Sequence, residues 1–348
     1  MNLNELKVCS YVSENGHGLI VEFGDAEFLK MQNESALYCQ ELKPYIVTSI
    51  AEDKMKGFLS KNKELFSEIS WFREKEKFNY LVFKNCFSTK NIPPTPTNDC
   101  PPDTILWRTP ASSLLAAISI TGHKVASYEG EMSGRLAHMV MPAKNSEASQ
   151  LRSTKQLSPH TEVVNGQWAE MLPQNIGNNL ISPEIFGLCC LRNPNGAGTT
   201  IWYLSDILDH LPYSIIQQLC KPEYSAKSQS SFDYNFDLEN ISVISEINSK
   251  LCIRYSSSKL VGLTDRASNA LSELEKHLNN PKFTDKVVLE PGDIFIVNNR
   301  ITLHGRESLT HEAKYDGTDR WLLRMYGFSQ DAWRKLNRNP QMGHVAIV

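Results

Sequence analysis

No apolar run in this 348-residue sequence approaches the roughly 18–20 residues that a membrane helix requires, so a helical anchor is not expected. Neither sign of charge dominates. With 36 basic against 39 acidic residues and a formal charge of -3, no field favours nucleic acid or an anionic membrane, and the expected partner is a small molecule. C-x-x-C pairs are missing too: Cys9, Cys39, Cys86, Cys100, Cys189, Cys190, Cys220 and Cys252 are scattered. The opening MNLNELKVCSYVSENGHG shows no apolar stretch after a basic start, so reduced thiols in a cytoplasmic protein are expected. Internal repeats and low-complexity tracts are absent, apart from loop-like serine clusters at Ser228 to Ser231 and Ser256 to Ser258. A monomer and a homo-oligomer are both compatible with this composition.

What is present is an ordinary globular balance, 41% hydrophobic and 22% charged. Residues 3 to 23 read as a strand pair, and Asp25 to Phe72, with Leu, Lys and Glu at helical spacing, as two or three helices. Tyr80 to Phe83 reads as a buried strand, followed by NIPPTPTNDCPP, whose prolines forbid a helix or a central strand. Leu106 to Ile120 and Thr264 to Leu278 have helical character. Short strands are expected at Arg135 to Met141, Phe186 to Arg192, Thr199 to Tyr203, Ser242 to Ile247, Leu251 to Tyr255, Val287 to Leu289 and Asp293 to Asn298. This mixture points to an α+β protein built on an antiparallel sandwich.

Three features carry chemistry together. In Ser158-Pro159-His160-Thr161-Glu162, a His and a Glu two residues apart would face one way on an extended strand. The second is Pro291-Gly292-Asp293, a turn feeding an apolar strand that leads to Leu303-His304-Gly305-Arg306, a second imidazole 304 - 160 = 144 residues on. The third is Asp319-Arg320-Trp321-Leu322-Leu323-Arg324, two fixed cations four residues apart. Singly each has a plainer explanation: a strand carrying His and Glu side by side, a satisfied turn histidine, arginines on a solvated face. Together, two imidazoles and one carboxylate would leave three positions of an octahedral Fe(II) open for a bidentate keto acid and O2. A guanidinium such as Arg320 suits the far carboxylate of that keto acid. A zinc hydrolase on the same two histidines and glutamate, and a noncatalytic jelly-roll binding module, are the competing readings.

The ordered set of motifs resembles the clavaminate-synthase-like branch of the Fe(II)/2-oxoglutarate dioxygenases, which includes hydroxylases of free arginine, asparagine and lysine. The matching residues are Gly134-Arg135-Leu136, HTE at 160 to 162, Gly187 to Pro194 with Gly196 to Thr200, PGD at 291 to 293, HGR at 304 to 306, and YDGTDRWLLR at 315 to 324. They cover about residues 105 to 330. The resemblance implies a double-stranded β-helix, or jelly roll, with flanking helices. One catalytic domain would span 1–348, a mostly helical region 1–105 packing on a core of 106–348 with inserted lid segments. It implies Fe(II), 2-oxoglutarate and O2, and hydroxylation at the β or γ carbon of a free L-amino acid, lysine or another polar one. It implies His160, Glu162 and His304 as metal ligands, Arg320 with Thr199 or Thr200 on the cosubstrate, and Arg324 on the α-carboxylate of the substrate. Glu131 falls where relatives contact the substrate's amino end; its plainer reading is a solvated loop carboxylate.

Some residues depart from that pattern. Val163 to Trp168 lacks the aromatic-His pair of relatives, and Met171 to Ser182 looks long, so this stretch is expected to shape the pocket or a lid. The spacing 320 - 304 = 16 suggests a small insertion near Leu309 to Lys314. Arginine hydroxylases present aspartates where this chain reads Arg254-Tyr255-Ser256-Ser257-Ser258, which disfavours arginine.

Overall fold

The computed structural model describes residues 8–23, 62–75, 77–98, 101, 102, 104, 106–143, 154–173, 179–309 and 313–347. Its strands, in chain order, are β1 (Val8–Val12), β2 (Gly18–Phe23), β3 (Tyr80–Lys84), β4 (Lys124–Tyr128), β5 (His138–Val140), β6 (Leu157–His160), β7 (Ile185–Arg192), β8 (Thr199–Tyr203) and β9 (Tyr224–Ala226). They continue as β10 (Leu238–Ile241), β11 (Ile244–Ile247), β12 (Lys250–Ile253), β13 (Leu260–Gly262), β14 (Asp285–Val287), β15 (Ile294–Asn298), β16 (Thr302–Arg306), β17 (Trp321–Phe328) and β18 (Val345–Ala346). The helices are α1 (Lys63–Lys75), α2 (Arg108–Ile120), α3 (Leu204–His210), α4 (Tyr213–Leu219), α5 (Asp265–Leu278) and α6 (Gln330–Lys335). The fold is mixed α/β with mostly sheet content.

A nine-stranded sheet runs β1-β2-β3-β15-β7-β17-β4-β18, with β5 also paired to β17, and a four-stranded sheet runs β14-β8-β16-β6. Period-two alternation explains how they pack. On β7, Cys189 and Leu191 turn to a core shared with Leu114, Leu115 and Ile118 of α2, while Phe186, Leu188 and Cys190 turn to a second core. That second core takes Ile201 and Tyr203 from β8, so the two sheets close on each other there. Strand β7 is buried along both faces, which accounts for its nearly unbroken apolar run. Helix α2 is likewise buried from Leu114 to Ile120 and stops at Thr121 before Gly122, whose φ of +80° suits the left-handed turn that ends a helix. Helix α5 starts where the Thr264 hydroxyl accepts from the Ala267 amide, and it seals a third core outside β8 with Trp202 and Leu303.

The strand pair expected over residues 3 to 23 and the strand expected at Tyr80 to Phe83 are present as β1, β2 and β3, which extend the large sheet, with β3 hydrogen-bonded to β15. Side chains of β2 and β3 alternate between the two cores, Leu19, Val21, Leu81 and Phe83 entering the first and Ile20, Tyr80 and Val82 the second. The helices expected over Asp25 to Phe72 lie mostly outside the described residues, α1 excepted. No helix among the described residues is long and apolar enough to cross a membrane.

Candidate metal centre and substrate cavity

Antiparallel pairing joins β16 to β6 with His304 opposite His160, so two histidines distant in sequence become cross-strand neighbours, their rings 4.2 Å apart. Glu162 reaches them differently from the expected strand alternation. Strand β6 ends at His160, and Glu162 sits in the turn beyond, before Val163 at φ +51°. Asn299 holds that turn in place. Its side-chain carbonyl accepts from the Glu162 amide at 2.8 Å, and its amide nitrogen donates to the Glu162 and Pro183 carbonyls at 3.1 and 2.9 Å. Oε1 of Glu162 then lies 3.4 Å from Nε2 of His304, and one donor atom from each of His160, Glu162 and His304 falls within 4.8 Å of the others. Among the described residues this is the one such group of three or more.

The donor set suits a divalent metal. Nδ1 of His160 donates to the Ser158 carbonyl at 2.8 Å, leaving the Nε2 lone pair for coordination. Burial, aided by His304, lowers the His160 pKa to about 4, so the ring is neutral at pH 7. Burial would push the Glu162 carboxyl up, but the Arg324 guanidinium outweighs it and holds the group well below the usual range. Both states are those a ligand needs. Two imidazoles and one carboxylate on one side match a ferrous ion with open positions.

The cavity beside these groups lies between the sheets. Leu188, Arg320, Leu322 and Arg324 enter it from the large sheet, and Thr199, His304 and Arg306 from the small one. Arg320 and Arg324, four residues apart, share a face because residues from Arg320 into β17 alternate. On β8 the same alternation separates the two threonines: Thr199 faces the cavity, whereas the hydroxyl of Thr200 lies on the other side near Gly305. Gly305 itself is required by close approach, since a Cβ there would sit 2.4 Å from the Leu157 carbonyl oxygen and 2.7 Å from Oγ1 of Thr200.

Arg324 anchors a buried charge cluster. It donates to both Glu162 oxygens at 2.9 and 2.8 Å, to Oε1 of Glu131 at 2.8 Å and to Nδ1 of His138 at 2.9 Å. The Tyr326 hydroxyl donates to Glu131 and Glu162 at 3.2 and 3.3 Å. Glu131 is fully buried, so its plainer reading as a solvated loop carboxylate is excluded. The motif HGR was noticed for its histidine alone, yet Arg306 is buried in the same cavity as Arg320; burial and Arg320 pull its pKa to about 9, which leaves it charged at neutral pH.

Other contributors were not expected. Gln229, Ser230 and Ser231 line the cavity, and the serine cluster was the available signal. The stretch expected to shape the pocket, 163 to 182, is described only in part, and none of its described residues lines it. Arg254 points away too, donating to the Val164 and Gly166 carbonyls at 3.2 and 2.8 Å and lying over the Trp168 ring. Half of the suspected insertion near Leu309 to Lys314, residues 310–312, falls outside the described residues.

Residues 175–326 match the taurine catabolism dioxygenase TauD, TfdA family. An L-asparagine oxygenase of Streptomyces coelicolor is 33% identical over 166 residues, 47% of this chain and 48% of that protein. An L-ornithine/L-arginine 3-hydroxylase of Catenulispora acidiphila is 27% identical over 232 residues, 58% of this chain and 62% of that protein. The chain thus matches about half to three-fifths of the length of these relatives. Among solved structures, asparagine oxygenase with Fe(II), 2S,3S-3-hydroxyasparagine and succinate superimposes with a TM-score of 0.79 at 22% identity, over 94% of this chain and 99% of that one. The non-heme iron oxygenase OrfP with Fe and alpha-ketoglutaric acid gives 0.73 at 18% identity, over 94% and 99%. The likeness in fold therefore extends well beyond the aligned sequence.

Proposed function

We propose that this chain, homologous to the amino-acid oxygenases through its TauD-type segment, is an Fe(II)/2-oxoglutarate-dependent dioxygenase that hydroxylates an unactivated carbon of a free L-amino acid. One observation carries the reading: His160, Glu162 and His304 converge at the wall of a cavity that also holds Arg320 and Arg306. A hydrolytic metal site has no use for such a pair of guanidiniums, whereas a keto diacid needs a cation at its far end. We read the two facing sheets as a double-stranded β-helix forming one catalytic domain. The described cysteines form no disulfide, in keeping with a cytoplasmic setting.

His160, Glu162 and His304 would hold the iron. Bound together, Fe(II), 2-oxoglutarate and O2 would supply an oxidant able to take hydrogen from an unactivated carbon, leaving succinate and CO2. The protein's own part is positional. Asn299 and the Ser158 carbonyl fix two of the three ligands before anything binds. Arg320 and Arg306 would draw the distal carboxylate of 2-oxoglutarate inward, with the Thr199 hydroxyl beside it. Arg324, steadied by His138, would take the α-carboxylate of the substrate, and Glu131 its ammonium. Val140, Leu157, Leu188 and Leu322 present an apolar wall that keeps water from the reacting carbon.

Addition of Fe(II) and 2-oxoglutarate without air tests the centre, because the expected complex has a visible charge-transfer band. A panel of free amino acids scored for succinate and a mass gain of one oxygen then tests the activity. Purified protein that retains zinc, gives no band and forms no succinate would overturn the reading.

A further inference from the structure

We infer that Gln229, Ser230 and Ser231 form the subsite that reads the substrate's side chain, and that it selects a neutral carboxamide over an ammonium or guanidinium. The inference rests on the amino-acid hydroxylase reading above and narrows it to a side-chain class.

The loop carrying these residues is strapped in place. At its start, the Ser228 amide donates to Asp237 at 3.1 Å, and Nδ2 of Asn165 donates to the Ser228 hydroxyl at 3.3 Å and to the Phe236 carbonyl at 2.8 Å. Further along, the Asp233 amide donates to the Gly130 carbonyl at 2.7 Å, and Phe232 bridges to Glu131. Phe232 also packs its ring 5.5 Å from that of Tyr128. Anchored on both sides, the loop presents residues 229 to 231 to the cavity. The backbone that bridges to this loop is the one that places Glu131. A side-chain subsite and the proposed ammonium contact are therefore fixed relative to each other.

Charge then limits what fits. Among the described residues lining the cavity, Glu162 is the only carboxylate, against Arg306, Arg320 and Arg324. Glu162 is committed to the metal centre, and Glu131 already accepts from Arg324 and Tyr326. A substrate ammonium or guanidinium beyond the α-amino group would be buried with no carboxylate among the lining residues left to meet it. Arg254, standing where the resemblance led one to look for aspartates, is itself a cation and turns to backbone carbonyls instead. Gln229 offers an amide donor and acceptor, and the two serines offer hydroxyls, a neutral set complementary to another amide. Lysine, the first expectation, has no counter-charge here.

Calorimetric titration of L-asparagine, L-glutamine, L-lysine, L-ornithine, L-arginine and L-leucine into the anaerobic Fe(II) and 2-oxoglutarate complex tests this, with succinate formation measured in parallel. At least one carboxamide amino acid is expected to bind 100-fold or more tighter than any of the cationic three, and tighter than leucine. Gln229→Glu is expected to cut that ratio at least tenfold, and Ser231→Ala to weaken the carboxamide without improving the cations. With the charge-transfer band present, tight binding of a cationic amino acid, or a ratio unmoved by both substitutions, overturns the inference while the oxygenase reading stands. Absence of the band under all conditions fails that reading and takes the inference with it.

Discussion

Replacing Arg324 with methionine removes the one guanidinium that joins two buried carboxylates. Glu162 and Glu131 are 2% and 0% exposed, and each loses a contact of 2.8 Å. The Tyr326 hydroxyl remains, but one neutral donor cannot balance two charges. Breaking a buried pair from one side typically costs about 3–5 kcal/mol, because the stranded charge stays desolvated. With an unfolding entropy of about 2.1 cal/mol/K per residue over 348 residues, or roughly 0.7 kcal/mol/K, the melting temperature should fall by about 4–7 °C. Glu131→Gln leaves Arg324 paired with Glu162 and should cost less, about 1–2 kcal/mol. The sign reverses for metal: Arg324 competes for Glu162, so a divalent ion should stabilise Arg324→Met more than wild type. Thermal unfolding with EDTA and with added Zn(II) measures both effects. A loss under about 1 kcal/mol without metal, or equal stabilisation by metal in the two proteins, would refute the account.

Other perturbations follow from the same geometry. Gly305→Ala drives a methyl into a backbone carbonyl that has nowhere to go, so β16 must shift with His304, costing about 1–3 kcal/mol and lowering metal stoichiometry, as unfolding and metal analysis would read. Asn299→Leu frees the Glu162 turn and is expected to weaken metal binding about 10–100-fold in a competition titration, with secondary structure retained by circular dichroism. His138 is buried and its pKa is lowered to about 4, burial outweighing the nearby Glu131 charge. The unfolded state therefore binds the extra proton first: stability is full above about pH 6.5 and falls by up to about 3 kcal/mol as pH drops toward 4, a slope that His138→Asn should flatten in urea titrations of metal-free protein. Arg320→Leu should raise the KM for 2-oxoglutarate at least about 30-fold while sparing metal binding.

The sequence by itself marked several of the elements and the candidate donors. Nearly unbroken apolar runs such as Ile185–Arg192 and Ile294–Asn298 fold as strands because a sheet buried on both faces accommodates them, and His160, Glu162 and His304 carry donor atoms that could hold a metal where they meet. Local pattern also located α2 and α5, whose apolar stripes need no distant partner to be read. Tertiary structure decided which side chains share a space. Pairing of β6 with β16 set His160 against His304, a register that depends on strands far apart in the chain. Alternation on a strand, fixed only once β17 took its place in the sheet, put Arg320 and Arg324 on one face, and the same rule chose Thr199 over Thr200. The Asn299 clamp, the burial of Glu131 and the approach of residues 229 to 231 all rest on contacts between segments remote in sequence, which no local periodicity encodes.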